Sequence, residues 1–463
     1  MRISLPTPNK SFCDPEPMWE NLPEIILEDV FQLLNNKDRF RASRVCKRWN
    51  EVFYAPRLWH NFRVHQNMFL YTKMHPLHGH IKEISKFQIQ SCLSKVGANI
   101  RTLEVKPMTD FYRLFEFIFV MNVYIEYYID EYYPMDLLEN FKFTFGCESY
   151  DFSGSTVIGT GGKLLAEVNR LLGNLQDLRY LSLNDLLLET KDAVGFLENV
   201  VKTSSTSMRK LELVNITSNR YPIFYMTMFT NLRKLIVSPQ NLSNDIVLIL
   251  AQHKNINELT ILQGRHTPQF EAISHQTWLE VRQVNPDLRV RLEVRGITRT
   301  EVMLQDCAPV HCIMYDTPYA RVTAEEVIMI SEMYPRQLKQ FGHLQLPRKH
   351  GSSRSYQERG DTYLVLLIRE CPNIDTLVIR ERVSTATLLI IAKEAKKLRK
   401  LIVRREGVLQ KFDWPKLSHW SEEQYAWLKH NATSYNRTQS EISRLLNQNW
   451  SMLSDASFMR LEV

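Results

Sequence analysis

One spacing of apolar residues returns along most of the chain after residue 95: apolar, two residues, apolar, one residue, apolar. The starts at 208, 232 and 256 are 24 residues apart, and so are those at 374 and 398. Apolar residues in alternation are typical of a strand with one buried face, so the spacing predicts a strand in each repeat. It occurs as Ile100/Leu103/Val105, Leu138/Phe141/Phe143, Leu178/Leu181/Leu183, Met208/Leu211/Leu213, Leu232/Leu235/Val237, Ile256/Leu259/Ile261, Val310/Ile313/Tyr315, Ile374/Leu377/Ile379 and Leu398/Leu401/Val403.

Helical patterns lie between these strands, for example at 162–172, 193–201, 244–251 and 385–395. A unit of one strand and one helix cannot bury its own apolar face, so we expect neighbouring units to stack into a curved solenoid of the α/β class. The spacing is irregular, with gaps of 38 and 40 residues early in the chain and an out-of-phase segment at 287–294.

The first sixty residues carry a different pattern, which predicts a compact helical unit. Leu22-Pro23 opens a helix, because proline fits the first helical turn. Asp38 is predicted to cap a second helix, and a third, containing Trp49, ends before Pro56. The first helix is apolar on more than one side, which exceeds what a single core face requires.

These residues resemble an F-box: LPEIILEDVFQLL from Leu22, VCKRW from Val45, and Leu58-Trp59 stand at that family's usual spacing. The resemblance implies a three-helix bundle that docks onto a Skp-type adaptor, which a cullin scaffold binds in turn. The alternative is that the same residues are only the core of a small subdomain. The bundle and adaptor face implied by the resemblance consist of Leu22, Pro23, Ile26, Leu27, Val30, Val45, Cys46, Trp49, Leu58 and Trp59.

Together with the repeats, the chain resembles F-box proteins with degenerate leucine-rich repeats, the F-box-only members numbered thirty-three and thirty-nine looking closest. We therefore expect a flexible proline-containing N-terminus (1–17), an F-box (18–64), an irregular leucine-rich-repeat solenoid (65–411) and a helical C-terminal cap (412–463). A cap is expected because the last repeat of a solenoid must be covered. The tryptophans of 412–463 leave a ligand pocket open as an alternative.

Composition is that of an ordinary globular protein, with 44% hydrophobic and 24% charged residues. A net charge of +7 over 463 residues is far from the dense basic surface of a nucleic-acid-binding protein. The apolar stretch 114–128 contains two glutamates, so no membrane span is expected. The first ten residues lack the apolar core of a signal peptide, and the seven cysteines form no CxxC pair. These features predict a cytoplasmic or nuclear protein with reduced thiols.

No motif predicts catalysis. Residues 159–163 (GTGGK) lack the spacing of a Walker A loop and read as a turn into a helix. Cys307, His311 and Cys312 lack a second ligand pair for zinc. We therefore expect a non-catalytic protein without a cofactor or metal.

Residues that alternate with the core positions of the strands should line the concave face, and the C-terminal half is the more basic there. Arg380, Lys400 and Arg404 are predicted to form a patch for an acidic or phosphorylated protein substrate; the alternative is a solvated charged edge. The sequence thus favours the substrate-recognition subunit of a Skp-cullin-F-box ubiquitin ligase. The alternatives are a non-degradative scaffold bound to the adaptor alone and, more weakly, a nucleic-acid binder.

Overall fold

The structure, a computed structural model, describes residues 22–75, 79–128, 134–151, 154–320, 323–347, 359–418 and 420–461. The predicted flexible N-terminus (1–17) lies outside this range. The helices are α1 (Glu24–Leu33), α2 (Asn36–Ala42), α3 (Lys47–Phe53), α4 (Pro56–Trp59), α5 (Lys86–Val96), α6 (Phe111–Tyr128), α7 (Gly162–Asn174), α8 (Thr190–Ala193), α9 (Glu198–Ser204), α10 (Asn244–Gln252), α11 (His275–Val284), α12 (Ala324–Met333), α13 (Asp361–Glu370), α14 (Thr385–Glu394), α15 (Glu422–Asn431), α16 (Tyr435–Leu446) and α17 (Asp455–Phe458).

The strands are β1 (Asn61–Val64), β2 (Leu70–His75), β3 (Gly79–Ile84), β4 (Thr102–Val105), β5 (Asn140–Thr144), β6 (Glu148–Asp151), β7 (Gly154–Val157), β8 (Tyr180–Asn184), β9 (Lys210–Val214), β10 (Lys234–Val237), β11 (Glu258–Gln263), β12 (Arg289–Arg295), β13 (Val310–Asp316), β14 (Gln340–His343), β15 (Thr376–Ile379), β16 (Val383–Ser384), β17 (Lys400–Val403) and β18 (Val408–Leu409).

The N-terminal unit consists of the four short helices α1–α4. Helix α2 begins with an N-cap at Asn35, whose side chain accepts a hydrogen bond from the Asp38 backbone N–H at 3.0 Å. The sequence predicted Asp38 as this cap, but the cap is Asn35. Asp38 stands three residues further on and accepts a hydrogen bond from the Asn35 side chain. Pro56 ends the third helix as expected and begins α4, where its missing N–H costs nothing.

A parallel sheet of twelve strands dominates the rest of the described chain, in the order β1-β4-β5-β8-β9-β10-β11-β12-β13-β14-β15-β17. Its strands follow one another in chain order, and the repeated apolar positions lie side by side: Leu235 is in register with Leu211 on one side and Leu259 on the other. All nine strands predicted from the apolar spacing belong to this sheet. The fold is thus mixed α/β, with a large parallel sheet that follows the N-terminal helices.

Three strands of the sheet were not among those nine: β1, β12 and β14. Strand β12 is the out-of-phase segment, and its register with β13 shifts between Val290 and Arg291. Strand β14 carries His343 where the other repeats carry an apolar residue. It also carries Gly342, where a Cβ atom would lie 2.5 Å from the Val378 Cβ on the next strand.

The helices pack beside one another in the same order as the strands, α5 against α6, α6 against α7, α10 against α11, and α12 through α14 in succession. The apolar side chains between helices and sheet form one continuous cluster that includes Leu27 near the start and Met452 near the end. Among the described residues, no helix has the length and apolarity to span a bilayer.

The C-terminal segment packs against the last unit of the sheet. Helices α15 and α16 contact α14, and the Trp450 indole N–H donates to the Leu401 carbonyl at 2.7 Å. Further on, Phe458 is fully buried on the opposite side of the sheet, in a cluster with Met314, Val378 and Ile402. The segment therefore covers both sides of the C-terminal strands.

Candidate functional site

Helix α1 presents two apolar stripes on different sides. Leu27 and Phe31, four residues apart, are both 0% exposed and form the core of the helical unit. Ile26 and Val30 have the same spacing but remain 45% and 40% exposed, and Leu33 is 88% exposed. Because residues at i, i+4 and i+7 share one face of a helix, these three side chains form an apolar stripe turned away from the core.

Exposed apolar side chains also occur outside α1. Phe40 on α2 is 55% exposed, and Val45, just before α3, is 66% exposed. Six large apolar side chains of a unit of about forty residues are exposed: Ile25, Ile26, Val30, Leu33, Phe40 and Val45. Single exposed apolar residues are ordinary on protein surfaces, whereas a contiguous stripe marks an interaction surface. Ile25 and Leu33 were not among the predicted adaptor-binding residues, although helical spacing alone could have identified them as exposed apolar positions of α1.

The predicted adaptor-binding residues divide into three groups in the structure. Pro23, Ile26, Val30 and Val45 are exposed, and Leu22, Cys46 and Trp49 are partly buried. Leu27, Leu58 and Trp59 are at most 6% exposed and belong to the core. For these three residues the structure supports the predicted bundle and not a direct adaptor contact, because their side chains lie in the core.

Arg39 was not singled out from the sequence, yet it holds the helical unit together. Its guanidinium donates to the backbone carbonyls of Phe31 at 3.0 Å and Leu58 at 2.8 Å, and it lies over the Trp59 ring. These contacts tie the end of α1 to α4, and burial lowers the Arg39 pKa. The Trp59 indole N–H in turn donates to the Phe53 carbonyl at 2.6 Å.

The predicted cationic substrate patch does not form, because two of its three members are buried and engaged within the protein. Arg380 is 1% exposed; it donates to the carbonyls of Thr317 at 2.8 Å and Ala320 at 2.7 Å, and it pairs with Glu381. Arg380 also donates to the Gln345 carbonyl at 3.2 Å, so it joins the loops that follow β13, β14 and β15 and offers no donor to a ligand on the surface.

Arg404 is 7% exposed and forms a two-pronged ion pair with Asp455, at 2.8 and 3.0 Å. Asp455 comes from the C-terminal segment, which lies over this side of the sheet. Of the three predicted cations, only Lys400 remains exposed. Alternation along a strand predicted that the three residues stand off the core face. It could not show that loop carbonyls surround Arg380 or that Asp455 of the C-terminal segment pairs with Arg404.

The cysteines and histidine noted in the sequence do not converge. Cys312 is buried within β13, and burial raises its thiol pKa to about 12. His311 contacts the Val290 carbonyl through Nδ1 at 2.8 Å. Cys307 instead lies next to His275 and Asp306, the one group of three potential metal ligands in the described part of the chain. Both ring nitrogens of His275 already contact the other two side chains, so the arrangement is a hydrogen-bonded chain.

The segment 159–163 is a turn into a helix, as predicted. Helix α7 begins at Gly162, whose φ of +55° lies in the left-handed region that glycine adopts without strain.

Two comparisons with known proteins bear on the exposed apolar stripe. A family model described as F-box-like matches residues 19–65, which include α1–α4 and the first strand of the sheet. The chain thus carries an F-box-like domain at the position where the apolar stripe lies.

Among curated proteins, F-box/LRR-repeat protein 21 from Bos taurus is 35% identical over 88 residues, 19% of each chain. Its counterpart from Mus musculus is 49% identical over 49 residues, 11% of each chain. The matched segment of this chain covers about a fifth or less of the length of these relatives. The finer resemblance to members thirty-three and thirty-nine stays a prediction.

Proposed function

We propose that the protein is the substrate-recognition subunit of a Skp-cullin-F-box type ubiquitin ligase. In this proposal the F-box-like domain binds a Skp-type adaptor, the adaptor links it to a cullin scaffold, and the rest of the chain holds a protein substrate. The protein contributes no catalytic group; it raises the rate of ubiquitin transfer by holding the substrate close. It acts in the cytoplasm, the nucleus or both.

The observation that carries the proposal is the exposed apolar stripe of α1. The inner stripe already supplies the core, so Ile26, Val30 and Leu33 have no role in folding that requires large apolar groups. Burying them against a partner removes apolar surface from water, which is the main driving force of protein association. An adaptor that covers this stripe, together with Pro23 and Val45, explains why these large apolar side chains are exposed in the free chain.

Within this proposal the repeated strand and helix units form a leucine-rich-repeat solenoid over 65–411, and residues 412–463 form its cap. The parallel order of the strands and the burial of Trp450 against β17 support this division. Leu27, Leu58 and Trp59 then act indirectly, by holding α1 and α4 in the shape that the adaptor recognises.

Co-purification of the full chain with a Skp adaptor and a cullin tests the proposal. Val45→Glu places a carboxylate in the proposed interface, where burial without a partner costs on the order of several kcal/mol. We expect this variant to lose both proteins. Val194→Glu is the matched control, because Val194 is equally exposed, at 66%, and lies outside the F-box-like domain.

Retention of the adaptor by the folded Val45→Glu variant would count against the assignment of this face. Capture of the adaptor without the cullin would favour a non-degradative scaffold over a ligase subunit. A ubiquitination assay on captured partners then decides whether bound substrates are modified.

A further inference from the structure

A cleft of about 770 Å³ lies among the C-terminal helices, away from the F-box-like domain. One side is formed by α13 and α14 and the loops that follow them; the other is formed by α15 and by Trp420. Its volume falls in the range of about 300–1,000 Å³ typical of ligand sites. Asp455, the C-terminal residue that pairs with Arg404, does not line this cleft.

The inner surface of the cleft is apolar and aromatic. Ile368, Ile390 and Leu428 lie at its base, each at most 3% exposed, and Trp420 and Trp427 line it and are only partly buried. Trp427 is held in place by its indole N–H, which donates to Glu441 at 2.8 Å. Such a surface accepts an aliphatic or aromatic side chain and gains free energy by removing it from water.

The rim of the cleft is positively charged. Lys393, Lys396 and Lys397 stand at the end of α14 and in the loop after it, and all three are exposed. Within the described ranges, no carboxylate lies within ion-pair distance of any of them. The Lys393 ammonium lies 4.4 Å from the centre of the Trp427 ring, and the Lys397 ammonium donates to the Asn373 side chain at 2.5 Å.

The carboxylate that lines the cleft is already neutralised. Glu394 pairs with Arg369 through two contacts of 2.7 and 2.9 Å, so these two charges cancel. The three lysines leave a net charge of +3 along one side of an apolar cleft. Cations placed together in this way are complementary to a ligand that carries several negative charges.

We propose that this cleft binds an acidic peptide segment whose aliphatic or aromatic side chain enters between Trp420 and Trp427 while its carboxylates face the three lysines. The proposal rests on the function proposed above, because it identifies the segment as the part of the substrate that the protein recognises. An inorganic anion would leave the apolar base unfilled. A nucleic acid would need a longer cationic surface, since its backbone carries charge at every nucleotide.

The test uses the full chain in complex with the adaptor and three fluorescein-labelled heptapeptides, EEELEEE, EEEGEEE and KKKLKKK, followed by fluorescence anisotropy. We expect EEELEEE to bind, with an affinity that falls as salt rises, and the other two to bind at least about tenfold more weakly. Equal binding of EEELEEE and EEEGEEE would overturn the role of the apolar base.

Charge reversal at the rim provides the matched pair of variants. Lys396 and Lys254 are both exposed and both stand two residues before the first apolar residue of a strand repeat, Leu398 and Ile256 respectively. We expect Lys396→Glu to weaken EEELEEE binding by at least about tenfold and Lys254→Glu to leave it within about twofold. Equal effects of the two variants would mean that only net charge matters and would overturn the site.

Failure of this inference is distinguishable from failure of the proposed function. If EEELEEE does not bind while the adaptor still co-purifies, the cleft assignment is wrong and the ligase assignment stands. If the adaptor does not bind, the same titration is run on the chain alone, and binding that Lys396→Glu abolishes would keep the peptide site without the ligase role. Displacement of the peptide by a single-stranded oligonucleotide at lower concentration would overturn the choice of a peptide.

Discussion

Replacing Ile26 and Val30 together by alanine should weaken adaptor binding without unfolding the F-box-like domain. The two residues lie one helical turn apart on the outer stripe of α1. Alanine is the strongest helix former, so the helix itself is not weakened. The change therefore removes apolar surface and little else.

The expected size of the effect follows from the exposed fractions. Ile26 is 45% exposed and Val30 is 40% exposed in the free chain. Complete burial of such a side chain contributes about 1.5–3 kcal/mol. If the adaptor covers what is exposed, the two residues together contribute about 1.3–2.6 kcal/mol, so the dissociation constant should rise about 8- to 70-fold.

The assay compares two double variants on the same helix, with adaptor affinity measured by calorimetry and folding measured by thermal unfolding. The second variant, Leu27→Ala with Phe31→Ala, removes side chains that are 0% exposed. It should lower the melting temperature sharply, because each such truncation costs about 2–5 kcal/mol of stability. The outer variant should lose affinity with a much smaller change in melting temperature. Adaptor affinity within about twofold of the original chain, in a folded outer variant, would refute the assignment of the outer stripe to the adaptor.

Three further outcomes are expected. Arg380→Met should lower the melting temperature by leaving buried carbonyls without a donor, whereas Lys400→Met should leave it unchanged; equal melting temperatures would contradict the structural role of Arg380. Phe458→Ala should cost about 3–5 kcal/mol of unfolding free energy, and a much smaller loss in chemical denaturation would show that the C-terminal segment is not packed as described. His343 is buried beside Arg380, and both burial and that charge hold its pKa well below the usual value. The unfolded chain takes up a proton near pH 6.5 and the folded chain does not, so stability should fall as pH drops below 6.5. His343→Leu should flatten this dependence in denaturation curves between pH 8 and 5, and an unchanged slope would exclude His343 as its source.

The sheet could be predicted from the sequence wherever the apolar spacing was intact, and the strands that were missed have identifiable causes. Strand β1 has the same apolar spacing, formed by Trp59, Phe62 and Val64. These residues also fall within the predicted F-box range, so the spacing alone does not identify them as a repeat strand. Strand β14 has Leu338 and Phe341 in place and lacks only the third apolar residue. There the buried His343 ring stacks on Tyr315 at 4.9 Å and fills the space of that residue.

The candidate sites were less predictable because they depend on contacts between distant parts of the chain. Helical spacing indicated surplus apolar residues in α1, but the division into an inner and an outer stripe required the packing of the whole unit. Alternation along the strands identified Arg380 and Arg404, yet Asp455, which neutralises Arg404, lies 51 residues further along the chain. The cleft is formed by α13, α14 and α15, and no local pattern places three helices together.

The first strand of the sheet begins two residues after the last F-box helix ends, with no flexible linker between Trp59 and Asn61. The Trp59 and Phe62 rings lie 6.0 Å apart across this junction, so the last helix of the F-box-like domain packs directly against the first strand of the sheet. At about 4.8 Å per strand spacing, the twelve strands place roughly 50 Å of sheet between β1 and β17. In the proposed complex the number of repeats sets the distance between the cullin scaffold and a substrate segment bound near the C-terminal strands. That distance determines which substrate lysines can accept ubiquitin. Removing one repeat would shift that distance by about 5 Å and leave both binding surfaces chemically unchanged.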